Sequence, residues 1–181
     1  MALFDAFLKL DGIKGESADA KHKGEIDIES FSWGMSQTGV SATGGGGGAG
    51  KVKVHDISFV KRTDASSPLL FLNCASGAHI KEATFVVRKA GGEQLEYLKI
   101  KLTDVLVSSY KPHGAQNAGP GDEGPEEDAW EAQDIESPLP WEHFGLNFAK
   151  IEYSYQPQGA DGKAQGGPIL AGWDVKANQK V

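Results

Sequence analysis

Cysteine is almost missing from this chain: Cys74 stands alone among 181 residues. An intramolecular disulfide is therefore excluded, and a cysteine-based zinc site has no ligand set. Cys74 itself falls late in an apolar segment with no cationic neighbour in sequence, which reads as a small core residue rather than a nucleophile. No apolar run approaches about 18 residues, so no membrane insertion is expected. The start, Met1-Ala2-Leu3-Phe4-Asp5, has no charged region followed by an apolar stretch, and hence no Sec-type signal peptide. The expectation is a chain folded in the cytoplasm that leaves the cell, if at all, by a route reading no N-terminal signal. Basic residues are outnumbered as well. A net charge of −7 argues against nucleic acid as a partner.

What is present fits a folded globule. The hydrophobic fraction is 39%, with four Trp and eight Phe, and the length suits a single domain over 1–181. Acidity is concentrated in one place: from Lys111 to Glu142 there are nine acids and one base, so the remainder is close to neutral. Between about 111 and 140 the composition turns to Pro, Gly and acid, which marks a surface loop insertion. Trp130 stands alone in it and either folds back on the domain or anchors a partner.

Period-two patterns dominate elsewhere. Phe4, Ala6, Leu8 and Leu10 predict a half-buried strand. From Glu25 to Val60 the pattern predicts a strand, a glycine-rich connection and a second strand. In the first, Phe31, Trp33 and Met35 share one face, while Ser30, Ser32, Gly34 and Ser36 share the other. The connection from Gln37 to Gly50 contains Gly44, Gly45, Gly46, Gly47, Gly48 and Gly50. A run so poor in side chains gains order only against another surface. Ser67 as N-cap, Pro68 in the first turn and Gly77 as stop predict a helix over about 68–76, apolar round much of its circumference and so packed on a sheet. A strand carrying Ala83, Phe85 and Val87 then meets a hairpin signal at Gly91-Gly92. In the long return strand the apolar parity switches from Leu98, Ile100 and Leu102 to Val105 and Val107. It switches again from Phe144, Leu146 and Phe148 to Ile151, Tyr153 and Tyr155 in the strand after the insertion. Such slips mark bulges or bends, and two of them suggest a sheet curling towards a barrel. Ile169 to Val175 forms the last strand, with Trp173 as a core anchor.

Chemistry has no visible home. The run Gly45 to Gly50-Lys51 approaches a phosphate loop, but Val52 stands where a magnesium-binding hydroxyl belongs, and a strand follows rather than a helix. His22, His55, His79, His113 and His143 lack metal-ligand spacing, and His113 and His143 read as solvated loop residues. No Gly-x-Ser-x-Gly elbow occurs. The acids at 122–128 sit in a loop where nothing desolvates one of them. Neither an enzyme nor a cofactor or metal is expected.

Several motifs in order give a further indication. Phe31-Ser32-Trp33-Gly34-Met35-Ser36-Gln37, Gly48-Ala49-Gly50-Lys51-Val52, Arg88-Lys89-Ala90-Gly91-Gly92-Glu93 and Val105-Leu106-Val107-Ser108-Ser109 resemble the Hcp (haemolysin-coregulated protein) family. Leu146-Asn147-Phe148-Ala149, Tyr155-Gln156-Pro157-Gln158 and Gly166-Gly167-Pro168 leading to Gly172-Trp173 do likewise. The resemblance covers nearly the whole chain except about 111–140, where the family has a much shorter connection. It implies a mainly β fold, a two-sheet β-barrel with one flanking α-helix. It also implies a homohexameric ring that stacks into the inner tube of the type VI secretion system. Implied partners are other copies of the chain, a contractile sheath, baseplate proteins, a VgrG spike, and small effectors in the lumen. On that basis Ser30, Ser32, Gly34 and Ser36 line the channel, residues 37–50 contact a neighbouring copy or ring, and the insertion with Trp130 faces a partner. The alternatives are a tail-tube subunit of another contractile machine, a chain with effector activity in the insertion, and an adhesion or signalling barrel acting as monomer or dimer.

Overall fold

Side chains that alternate in hydropathy build strands along most of this chain, and their pairing bends them into one curled sheet. A computed structural model describes residues 4–37, 52–89, 94–114, 139–159 and 162–181. In chain order the elements are β1 (Phe4–Leu10), β2 (Ile26–Asp27), β3 (Ser30–Ser32), β4 (Met35–Ser36), β5 (Lys53–Val54), β6 (Ile57–Arg62), α1 (Ser67–Ser76), β7 (His79–Lys89), β8 (Glu96–His113), β9 (Trp141–Tyr155), β10 (Ile169–Asp174) and β11 (Gln179–Lys180). All strand pairs are antiparallel. The ladder runs β11-β10-β9-β8-β7-β1-β2, with β6 also on β9 and β3 on β6, while β4 and β5 form a separate pair.

The mainly β class with one helix is as expected, but the closed two-sheet barrel is not. No ladder joins β1 to β6. The segment between β2 and β3 crosses that gap on single hydrogen bonds, Ile28 N–H to the Ala6 carbonyl (2.9 Å) and Glu29 N–H to the Val60 carbonyl (2.9 Å). The expected long strand over 25–36 is broken into β2, β3 and β4 for the same reason: it changes partner along its length. The strand expected over 51–60 is likewise split into β5 and β6.

The parity switches fall at one level of the sheet. Ala83, Leu102 and Ile151 are in register on one side of it, and Ile80, Val105 and Phe148 on the other. All six are buried. Between them Asp104 takes φ 55° and is unpaired in both ladders. The sheet is thus creased across three strands without a register shift. True irregularities lie at Val87/Arg88 and at Val107/Ser109. Asp104 is held by Nδ1 of His79 (2.6 Å) and by Lys176, which lower its carboxyl below the usual range.

The inside is apolar around Leu8, Ile26, Phe59, Phe85, Ile100 and Leu146. It also holds charge that the apolar pattern conceals. Lys61 is 0% exposed and Glu142 is 2% exposed, and their charged atoms lie 2.9 Å apart. The Lys61 Nζ also donates to Asp64 (2.7 Å) and Ser67 (3.0 Å), and Glu142 accepts from Ser67 (2.8 Å), Thr63 (3.0 Å) and Tyr110 (3.0 Å). Burial alone would push Glu142 up. The hydrogen bonds from Lys61, Ser67 and Tyr110 outweigh it and hold the carboxyl below its ordinary value. Burial and Glu142 together push Tyr110 up to about 12.

The helix differs from expectation in two ways. Ser66 rather than Ser67 is the N-cap residue, and the Ser67 hydroxyl bonds Lys61 and Glu142 instead. Gly77 ends the helix in the left-handed region, φ 65°, as expected. The helix is much less covered than expected: only Ser67 and Leu70 are buried. A second charged anchor, Arg88 with Asp5 and Asp19, holds the 14–24 loop over β1, where His22 stacks on Phe7 at 4.2 Å. The Arg88 guanidinium lowers Asp19 to about 2.

Removing one member of the buried pair leaves the other charge uncompensated. Lys61→Met is expected to lower the unfolding free energy by about 3 kcal/mol. Adding Glu142→Leu should return a large part of it, as read by urea denaturation of the two variants against the parent. The pH dependence has a definite sign. Both Glu142 and Asp19 are depressed in the folded chain, so their contribution is present above their ordinary values of 4.5 and 3.8. It is lost as pH falls through the folded values, so the thermal midpoint should drop between about pH 4.5 and 2. A midpoint flat across that interval contradicts the assignment.

Candidate assembly surfaces

Register carries the small polar face of β3 across three more strands. Ser32 is paired with Ser58 of β6, Ser58 with Gly145 of β9, and Gly145 with Ser109 of β8. One row of the sheet therefore reads Ser, Ser, Gly, Ser. The next row reads Ser30, Val60, His143 and Lys111. Beyond the first row, Asn147 donates to Asp56 at 2.7 Å. Ser32, Ser58, Ser109, Lys111 and Asn147 are exposed. The bulge at Val107/Ser109 crowds this face: a Cβ at Gly145 would lie 2.6 Å from the Ser109 hydroxyl and 2.8 Å from that of Ser108. Only glycine fits there without displacing a serine. The result is a wide, shallow surface of small polar groups with no large apolar side chain in its central row.

Of the residues singled out in sequence, Ser30 and Ser32 lie on β3 of this face, and Gly34 is exposed in the connection to β4. Ser36 is exposed on β4, in the separate pair with β5. Ser58, Ser109 and Gly145 were not singled out. Their signal is the alternation within β6, β8 and β9, which becomes a shared face only once the register is known. Gly44, Gly45, Gly46, Gly47, Gly48 and Gly50, the Gly91-Gly92 turn, and Trp130 all lie outside the described residues. β8 runs to His113 and β9 starts at Trp141. His113 and His143 are therefore strand residues, paired with Trp141 and Lys111 respectively, not loop residues. At the base of the insertion the Arg62 guanidinium sits 3.1 Å over the Trp141 ring, and Thr63 N–H donates to the Pro140 carbonyl.

Among the described residues, both edges of this four-stranded region end without a further strand: β3 pairs only with β6, and residues 107–113 of β8 pair only with β9. Unpaired strand edges offer rows of donors and acceptors to another chain.

A second surface is apolar. Between the β4–β5 pair and the β9–β10 ladder lies a groove of about 520 Å³, lined by Trp33, Met35, Tyr153, Ala171, Gly172 and Trp173, with Gln37 and Val52 at the point where the chain leaves towards 38–51. Trp33 Nε1 and Trp173 Nε1 are buried and have no hydrogen-bond partner among the described residues. Beside the groove Ile169 and Leu170 of β10 are 63% and 71% exposed. Trp173 is thus the core contact expected, though only half-buried. Among the described residues no three His, Cys, Asp or Glu gather as metal ligands.

The family model described as "Type VI secretion system effector, Hcp" matches residues 7–155. Protein hcp1 of Pseudomonas aeruginosa is 46% identical over 175 residues, covering 96% of each chain. Among solved structures, Hcp1 from Salmonella typhimurium is similar at a TM-score of 0.74 and 36% identity, over 99% of this chain and 100% of that one. A type VI secretion system effector from Yersinia pestis gives 0.68 and 32%, over 94% and 99%.

Proposed function

The chain belongs to the Hcp family of type VI secretion proteins, and on that premise we propose how its surfaces do the work of a tube subunit. It is a structural component of the type VI secretion tube. It acts by assembly rather than by catalysis and leaves the cell through the machine it helps to build. Copies join edge to edge, β3 of one beside residues 107–113 of β8 of the next, and close as a homohexameric ring. Head-to-tail contacts that close give rings, and a second heterologous contact stacks them. The Gln37–Gly50 connection supplies part of the contact with a neighbouring copy or ring. The insertion with Trp130 faces outward, towards sheath, baseplate or another accessory protein, and a VgrG spike caps the stack.

The observation that carries this reading is the row Ser32, Ser58, Gly145 and Ser109, bounded on both sides by open edges. Repeated round a ring, it gives a channel wall of small hydroxyls with no apolar pocket to trap cargo. Such a wall accepts wet, loosely specific contact with small effector proteins. Ser30, Ser32, Gly34 and Ser36 belong to that wall in this reading.

Light scattering of the purified protein should give a mass about six times the 19.2 kDa chain. A single-chain mass at every concentration overturns the ring. To test the wall, a cysteine replaces Ser32 in a Cys74→Ser background. In the assembled ring it should react with a small maleimide but much more slowly with the same group on a long polymer. Equal rates for both reagents place Ser32 on an outer surface and overturn its assignment to the channel.

A further inference from the structure

One row beyond the serines, the polar face meets the crease and hollows. Asn147 follows Gly145 on the same face of β9. It is paired with Leu106 of β8, and Leu106 with His79 of β7. A cavity of about 300 Å³ opens there, with Leu106, Ala149 and Val175 in its apolar lining and His79, Asn147 and Lys176 in its polar lining. That size is at the lower end for a ligand pocket and suits one side chain. Asp104, at φ 55°, lines it as well. A non-glycine residue in the left-handed region is held there by its surroundings, and such residues gather at sites that grip a ligand.

The hydrogen bonds show which groups are still on offer. Asp104 is taken by His79 Nδ1 (2.6 Å) and by Lys176, so this carboxylate and the one ammonium here are spent on each other. A carboxylate on Nδ1 fixes the hydrogen of the neutral imidazole there and leaves Nε2 an acceptor. Asn147 donates its amide to Asp56 (2.7 Å) and keeps its side-chain oxygen as an acceptor. Asp56 is the third acceptor, and among the described residues no cation is paired with it. Three acceptors, one of them charged, beside an apolar lining call for a cationic donor on an apolar stem. Arginine has that form: a planar guanidinium with five donors for separate acceptors, and a stem that lies on apolar surface.

We propose that this cavity seats a single arginine side chain of a cargo protein, its stem on Leu106 and Val175 and its guanidinium towards Asp56, Asn147 and His79. The proposal rests on the channel reading, because the cavity continues the face which that reading turns inward. It gives the wall one specific contact beside the wet, loosely specific serine row. Repeated in every copy of the ring, the seat is met by a suitably placed arginine in any of several rotational settings of the cargo.

The test tethers short probes beside the cavity in the full chain. Ser58→Cys, exposed on β6 two residues from Asp56, gives one thiol in a Cys74→Ser background. The tripeptide amides Cys-Gly-Arg, Cys-Gly-norleucine and Cys-Gly-Glu then compete for it in equal amounts by disulfide exchange in a thiol redox buffer at low salt. The arginine probe should be captured about two- to fivefold more than the norleucine probe, the range an exposed ion pair supplies. The glutamate probe should be captured less than norleucine. Asp56→Asn and His79→Phe should each bring the arginine-to-norleucine ratio towards one, with urea unfolding like the parent's as the check on the fold. Equal capture of the three probes overturns the seat. A preference that survives both variants also overturns it, since the field of an acidic chain then accounts for it. If one variant fails to fold, the other decides. A chain that never forms rings yet keeps the preference overturns the channel reading and the cargo with it, while the arginine seat itself stands.

Discussion

Backbone groups at the two open edges of the β3–β6–β9–β8 region are the constraint on which the rest depends. Among the described residues β3 pairs only with β6, and residues 107–113 of β8 pair only with β9. Edges of this kind are a liability in a monomer and are commonly blunted by charge, proline or a covering loop. The β8 edge carries Lys111 and Pro112, which limit how far a neighbour's ladder can extend, but Ser108 and Ser109 are left clear. The β3 edge carries only Ser30, Phe31 and Ser32. Association in register is the outcome this arrangement favours.

The buried network makes those edges reliable. Lys61, Glu142, Ser67 and Tyr110 come from β6, β9, α1 and β8, so one set of hydrogen bonds fixes four elements relative to one another. A charge pair of this sort contributes little net stability compared with an apolar replacement, but it penalises every arrangement that leaves one partner alone. The same bonds hold α1 beside the β8 edge with its apolar face outward. The crease at Asp104 falls between the Phe144 and Tyr153 stretches of β9.

Much of this was legible in the amino-acid order. β1, β7, β8 and β9 follow from period-two alternation, and Pro68 with Gly77 brackets the helix. The slips at Leu102/Val105 and Phe148/Ile151 correctly indicate a bend, although its form is an unpaired Asp104 rather than a shift of register. The unclosed barrel was not legible, because the break between β2 and β3 is a change of partner, and partners are tertiary facts. Lys61 and Glu142 continue the inward parity of Ile57 and Phe59 and of Phe144 and Leu146. That placement announces a buried charge only when both strands are read together. The helix departs from its pattern for a different reason: an apolar circumference does not by itself say that the chain's own sheet covers it, and only Ser67 and Leu70 are buried. Ser32 shares its face of β3 with Ser30, but the row it belongs to depends on strands far apart in sequence.

Hydrogen exchange at the two edges tests the central claim most directly. In the assembled protein, the outward amides of Ser30–Ser32 on β3 and of Ser108–His113 on β8 should slow together relative to the dispersed chain, by on the order of a hundredfold or more, as expected for amides taken into a ladder. Amides at those two edges that exchange as fast in the assembled particle as in the single chain contradict the account.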